Sequence, residues 1–93
     1  MTVHVRVPGP LTEYASGQGA LTLDVAGATV ADALRALWTV HPRLRDRILD
    51  EQGNVRPHVN VFVGRESIRY TGGLETPLPA GATLSVIPAV SGG

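Results

Sequence analysis

The chain contains no cysteine, which removes disulfides, thiolate metal sites and a cysteine nucleophile. It contains no lysine either, and all eight basic residues are arginines. That excludes Schiff-base chemistry, a Walker-type phosphate loop and any isopeptide bond accepted by its own side chains. Aromatics make up 4% of the residues: Tyr14, Trp38, Phe62 and Tyr70. There is no excess of either charge, since eight arginines balance eight acidic residues. A nucleic-acid partner would usually demand a basic surplus, so none is expected. No apolar run is long enough to cross a membrane. The opening Met1–Arg6 alternates instead of forming the apolar stretch of a signal peptide. A soluble cytoplasmic protein without a membrane partner is expected. With 93 residues the chain makes one small domain, whose folding buries only about 60–65% of the unfolded surface. A cofactor domain has no room beside a substrate domain. If the chain takes part in catalysis, it is expected to do so as a partner or a protein co-substrate of other enzymes and not as an enzyme.

What is present is patterned. An apolar fraction of 43% and a charged fraction of 17% suit a folded globule. Val3, Val5 and Val7 alternate with Thr2, His4 and Arg6, which predicts a half-buried strand ended by Pro8-Gly9-Pro10. Residues 11–19 read as a hairpin loop, and Leu21, Leu23 and Val25 mark a second strand. Thr29 stands at an N-cap position with Asp32 three residues on, a variant of the capping box. Val30, Ala33, Leu34, Leu37, Trp38 and His41 follow at helical spacing up to Pro42. Leu44–Leu49 allows a further helical turn. Val59, Val61 and Val63 mark a third strand, Ser67–Tyr70 a short edge strand, and Leu84 and Val86 the inward face of a last strand over 82–87. One helix must then cover one face of a mixed sheet of four to five strands. With a right-handed crossover, that order predicts an α+β fold of the β-grasp, ubiquitin-like type, followed by a tail over 88–93.

Few side chains suggest chemistry within the chain. His4 and His58 are placed to approach across the outer sheet face, but no carboxylate completes a metal triad or an HExxH helix. No metal site is expected. His41 suits the negative end of a helix. None of the serines has a His and Asp spaced as a nucleophile triad, so no catalytic residue is assigned. Gly72-Gly73 reads as a loop needing positive φ. Arg43, Arg45 and Arg47 form a small basic cluster, a solvated helix turn or a surface for an acidic partner. Phe62 and Ile87 fall on the outer face among His4, Arg6, His58, Asn60 and Ser85, which suggests a small docking patch.

The ending Gly92-Gly93 is different. A tip without Cβ atoms slides into a narrow tunnel and delivers only its carboxylate. Once activated as an acyl-adenylate, that carboxylate becomes a thioester, an amide or a thiocarboxylate.

Three further stretches bear on identity: His58-Val59-Asn60-Val61-Phe62-Val63, Ile68-Arg69-Tyr70 with Gly72-Gly73-Leu74, and Val86-Ile87-Pro88-Ala89-Val90-Ser91-Gly92-Gly93. On these the chain resembles the MoaD/ThiS family of ubiquitin-like sulfur carriers, and within it the carriers that serve cysteine biosynthesis. The resemblance implies that a ubiquitin-activating-type adenylyl- and sulfurtransferase adenylates Gly93 with ATP and Mg²⁺, no cofactor being bound by the carrier itself. A sulfur donor then forms a Gly93 thiocarboxylate. In the cysteine branch a pyridoxal-phosphate cysteine synthase accepts the sulfur, and a metalloprotease releases cysteine. The resemblance equally admits the small subunit of molybdopterin synthase, a sulfur donor to a thiazole-synthase-like enzyme in thiamin or secondary metabolism, and a protein modifier. It assigns Pro88, Ala89, Val90, Ser91 and Gly92 to tail insertion, the tail being mobile in the free protein, and Phe62, Ile87 and Leu74 to partner docking.

Overall fold

The computed structural model of the chain describes residues 1–88. Strand β1 (Thr2–Arg6) alternates exposed and buried positions without a break, as its three spaced valines require. β2 (Ala20–Asp24) pairs antiparallel to it, Val3 opposite Leu23 and Val5 opposite Leu21. On its other side β1 pairs in parallel with β5 (Thr83–Pro88), Val5 opposite Leu84. β3 (Val59–Val63) runs antiparallel to β5, with Val61 opposite Val86. The two-residue β4 (Glu66–Ser67) closes that side. The sheet order is β2-β1-β5-β3-β4, the mixed five-stranded sheet of a β-grasp.

One helix, α1 (Val30–Val40), buries Val30, Ala33, Leu34 and Leu37 in the same core as Val3, Val5, Val61, Leu84 and Val86. Trp38 is only partly buried at the margin of that core, so the apolar stripe is narrower than the sequence spacing suggests. The capping box is complete. Asp32 N–H donates to Thr29 Oγ1 at 3.3 Å, while Thr29 N–H and Thr29 Oγ1–H donate back to Asp32 Oδ2 at 3.1 and 2.9 Å. Ala28 N–H adds a further bond to the same oxygen at 3.0 Å. Gly27 has φ +117°, and a Cβ there would collide with the Asp32 carboxylate, so the turn needs glycine twice over. Val30 N–H donates to Thr76 O, and Leu78 N–H donates to Ala28 O. These two bonds tie the start of the helix to the segment leading into β5. The second turn expected over 44–49 is a 3-10 turn (Pro42–Leu44) running into α2 (Arg45–Ile48).

Three readings change. Residues 11–19 are not simply a hairpin loop: Gly9–Ala15 forms a 3-10 helix with Ala15 fully buried and Ser16 left-handed at φ 53°. Proline at its start presets the helical φ and has no N–H to satisfy. The edge strand expected over 67–70 is shorter and earlier, because Ser67 Oγ accepts from Arg69 N–H and winds Ile68–Tyr70 into a 3-10 turn with Ile68 buried. Pro88 is the last residue of β5, opposite Val59, and not the first residue of a tail. Residues 89–93 lie outside the described residues.

Leu37 has no exposure, so Leu37→Ala should lower unfolding free energy by about 2–5 kcal/mol in denaturant titration. Near-unchanged stability would mean the helix does not carry the core. The Thr29 hydroxyl, then the Thr29 and Ala28 N–H groups, with Arg35 at 3.1 Å from Oδ1, hold the Asp32 carboxyl below its usual 3.8. A lowered folded value gives stability that is complete above the ordinary aspartate range and lost as pH falls through the lower folded value. Acid unfolding followed by circular dichroism should show this loss below pH 3.8, and Asp32→Asn should remove that part of the acid limb.

Candidate functional site: the outer sheet face and its end

Side chains alternate across a strand, so the buried valines of β1, β3 and β5 push a second set onto the face away from α1. The register places these in rows. Ala20, Arg6, Ser85, Phe62 and Ser67 stand side by side across all five strands. Ile87 faces Asn60 in the next row of β5 and β3. Phe62 and Ile87 are therefore diagonal neighbours on one face, within reach of an aromatic side chain. Ile87 is 48% exposed, and Phe62 is half-buried at a shallow depression it shares with Arg65, Arg69 and Tyr70. Tyr70, 85% exposed, enlarges this patch. The sequence pattern assigns it to an edge strand, and only the 3-10 turn brings it to the rim.

Leu74 does not join Phe62 and Ile87. It sits on a 3-10 turn (Gly73–Glu75) packed against the core. There it walls a neighbouring cleft of about 220 Å³ with Val55, Val59 and Ile68. Asn60 and Arg69 line both depressions, so the two sites adjoin. Gly72 and Gly73 adopt φ of 118° and 62°, as the loop reading requires.

The histidines do not meet. His4 lies opposite Thr22 and Thr83, its Nδ1 3.4 Å from Thr22 Oγ1. His58 precedes β3 at the other end of the sheet, beside Asp46, Arg47 and Arg56. Because β3 is antiparallel to β5 and β1 is parallel to it, shared outward facing does not bring the two together. His41 closes α1 and is 8% exposed, its Nε2–H donating to Gln18 Oε1 at 3.1 Å. It joins the helix end to the turn before β2. Among the described residues no three His, Asp or Glu side chains converge as a metal ion would need, and no helix is long and apolar enough to cross a membrane.

β5 leads directly to the last five residues. Its parallel partner β1 ends at the same end of the sheet, and β3 begins there, Val59 opposite Pro88. Whatever follows Pro88 therefore leaves from one end of the sheet, next to the exposed Ile87. Ala89, Val90, Ser91 and Gly92, which the resemblance assigns to tail insertion, and the terminal Gly93 lie outside the described residues.

Comparison with known proteins agrees with this geometry. The model of the ThiS family matches residues 5–93. The chain is 31% identical over 97 residues to the sulfur carrier protein CysO of Mycobacterium tuberculosis, with both chains covered completely. In structure it is similar to a chain of the BexX/CysO complex of Amycolatopsis orientalis, with a TM-score of 0.87 and 32% identity over 98% of this chain and 99% of that one. It is also similar to SAMP1, a small archaeal modifier protein, from Haloferax volcanii, with a TM-score of 0.84 and 35% identity over the whole of both chains.

Proposed function

The chain belongs to the ThiS family, and from that membership we propose that it is a sulfur carrier whose reacting group is the Gly93 carboxylate. The observation that carries this reading is that the family match runs through residue 93 on a fold whose last strand delivers that segment beside an exposed apolar patch. In the proposed cycle, a carboxylate oxygen of Gly93 attacks the α-phosphorus of ATP on a ubiquitin-activating-type enzyme. Pyrophosphate leaves, with Mg²⁺ balancing the phosphate charge. Sulfur at the sulfide level then displaces AMP to give a thiocarboxylate. The sulfur stays nucleophilic yet bound, and free sulfide is avoided. The absence of cysteine and lysine means that no thiol or side-chain amine of its own chain can attack the activated acyl group.

We place the sulfur in cysteine biosynthesis, on the likeness to the carriers named CysO. A pyridoxal-phosphate synthase acting on activated serine would accept it, and a metalloprotease would release the product. A second reading is favoured by the likeness to SAMP1: conjugation of Gly93 to target lysines. The mass of the chain isolated from its own host separates the two. One sulfur in place of one oxygen marks the carrier, whereas a ladder of larger conjugates marks the modifier.

Phe62→Asp and Ile87→Asp alter the outer face and should leave the fold intact by circular dichroism. Each should weaken binding to the activating enzyme by roughly 1–3 kcal/mol in titration calorimetry. Unchanged affinity in both would remove this face as the docking surface. Deleting Gly93, or adding one alanine after it, should leave folding and docking nearly unchanged and abolish ATP–pyrophosphate exchange. Either change displaces the carboxylate by about 3.3–3.6 Å, more than near-attack geometry tolerates. Full exchange with the deletion would overturn the sulfur-carrier reading.

A further inference from the structure

The end of the sheet from which residues 89–93 depart is also where the arginines gather. The 3-10 helix Gly9–Ala15 follows β1 there, and Arg56 precedes β3 there, its N–H donating to Ile48 O of α2 and its carbonyl accepting from Val59 N–H. Between these elements Tyr14 holds two guanidinium groups against its ring. The Arg43 group lies 5.0 Å from the centroid and the Arg47 group 4.5 Å. Arg56 shares their depression and donates from Nε to the Asp46 backbone oxygen at 2.8 Å. The carboxylate of Asp46 is 3.2 Å from Arg45. Among the described residues no carboxylate lies within 4 Å of Arg43, Arg47 or Arg56. On a chain with zero formal charge this end is locally cationic.

Two like charges on one ring repel each other. The face of the tyrosine offsets part of that repulsion, and an anion would offset the rest. The tail limits which anion. Five residues, 89–93, reach at most about 3.3–3.6 Å each beyond Pro88. With the tail extended into a tunnel, its carboxylate is far ahead of the sheet end, and the arginines remain at the mouth. ATP phosphates, which must meet the carboxylate, are then in the depth of the tunnel and out of reach. Side chains around the mouth are within reach.

We propose that Arg43 and Arg47, ordered by Tyr14, and Arg56, held by the Asp46 backbone oxygen, form a cationic rim that docks on an acidic surface around the tail tunnel of the activating enzyme. This rests on the sulfur-carrier reading and names the chemistry of its partner. The apolar patch at Phe62 and Ile87 anchors the complex, and the rim accelerates and orients the encounter.

The experiment measures ATP–pyrophosphate exchange by the adenylating enzyme of the same organism, varying carrier, ATP and NaCl. R43E/R47E should raise the KM for the carrier about tenfold or more at low salt, with kcat and the KM for ATP unchanged. R43Q/R47Q, which removes the two charges without reversing them, should fall between it and the wild type. It decides the matter if the charge-reversed protein does not melt cooperatively. The wild-type KM should rise with NaCl, whereas that of R43E/R47E should not. Phe62→Ala, which changes no charge, should raise KM without altering the salt dependence. An unchanged carrier KM and salt dependence would overturn the rim. A raised KM for ATP alone would place the arginines on the nucleotide and also overturn it. If the enzyme fails to activate the wild-type chain, the sulfur-carrier reading itself falls, a result distinct from activation that ignores the arginines.

Discussion

The parallel pairing of β1 with β5 governs the rest of the molecule. It sets His4, Val5 and Arg6 beside Thr83, Leu84 and Ser85, residues from opposite ends of the chain. Four of the most buried side chains, Val3, Val5, Leu84 and Val86, stand on these two strands. Loop-closure entropy opposes a contact between such distant segments until the intervening chain is ordered. That order comes from α1, whose first turn is bonded through Val30 and Ala28 to Thr76 and Leu78 just ahead of β5. The same pairing decides which way β5 points. A core interaction thereby fixes the end of the sheet at which β5 finishes, with Pro88 beside Val59.

Much of this was legible in the sequence wherever one physical rule dominates. Alternating valines have one way to bury themselves, so β1, β3 and β5 were readable with their facing. Thr29 and Asp32 satisfy helix N–H groups by local geometry alone, so the helix start was readable to the residue. The 3-10 helix over 9–15 was not, because it has no apolar period and its single buried residue, Ala15, is too small to stand out in a polar stretch. The failure of His4 and His58 to meet has another cause. Facing is local, whereas distance along a sheet depends on strand direction and register, which residue types do not encode. Tyr70 and Leu74 depend on where Ser67 and Gly72 turn the backbone, so the resemblance that assigns Leu74 to docking could not show it packed against the core.

The site combines two kinds of surface on a neutral chain. The apolar part, Phe62, Ile87 and Tyr70, belongs to the sheet face and its rim, where strand geometry holds it rigidly. The cationic part belongs to short helical segments that cover one end. What the described residues offer is a fixed surface for recognition at the end of the sheet where β5 finishes.

β4 is two residues long, and the backbone then turns out of the sheet. At the opposite margin, β2 carries Asp24, whose side chain is 96% exposed. An unpaired strand margin is a template on which further chains can add. Here one margin offers a newcomer almost no ladder to join, and the other meets it with a charge. Both margins thereby steer the sheet away from pairing with further chains.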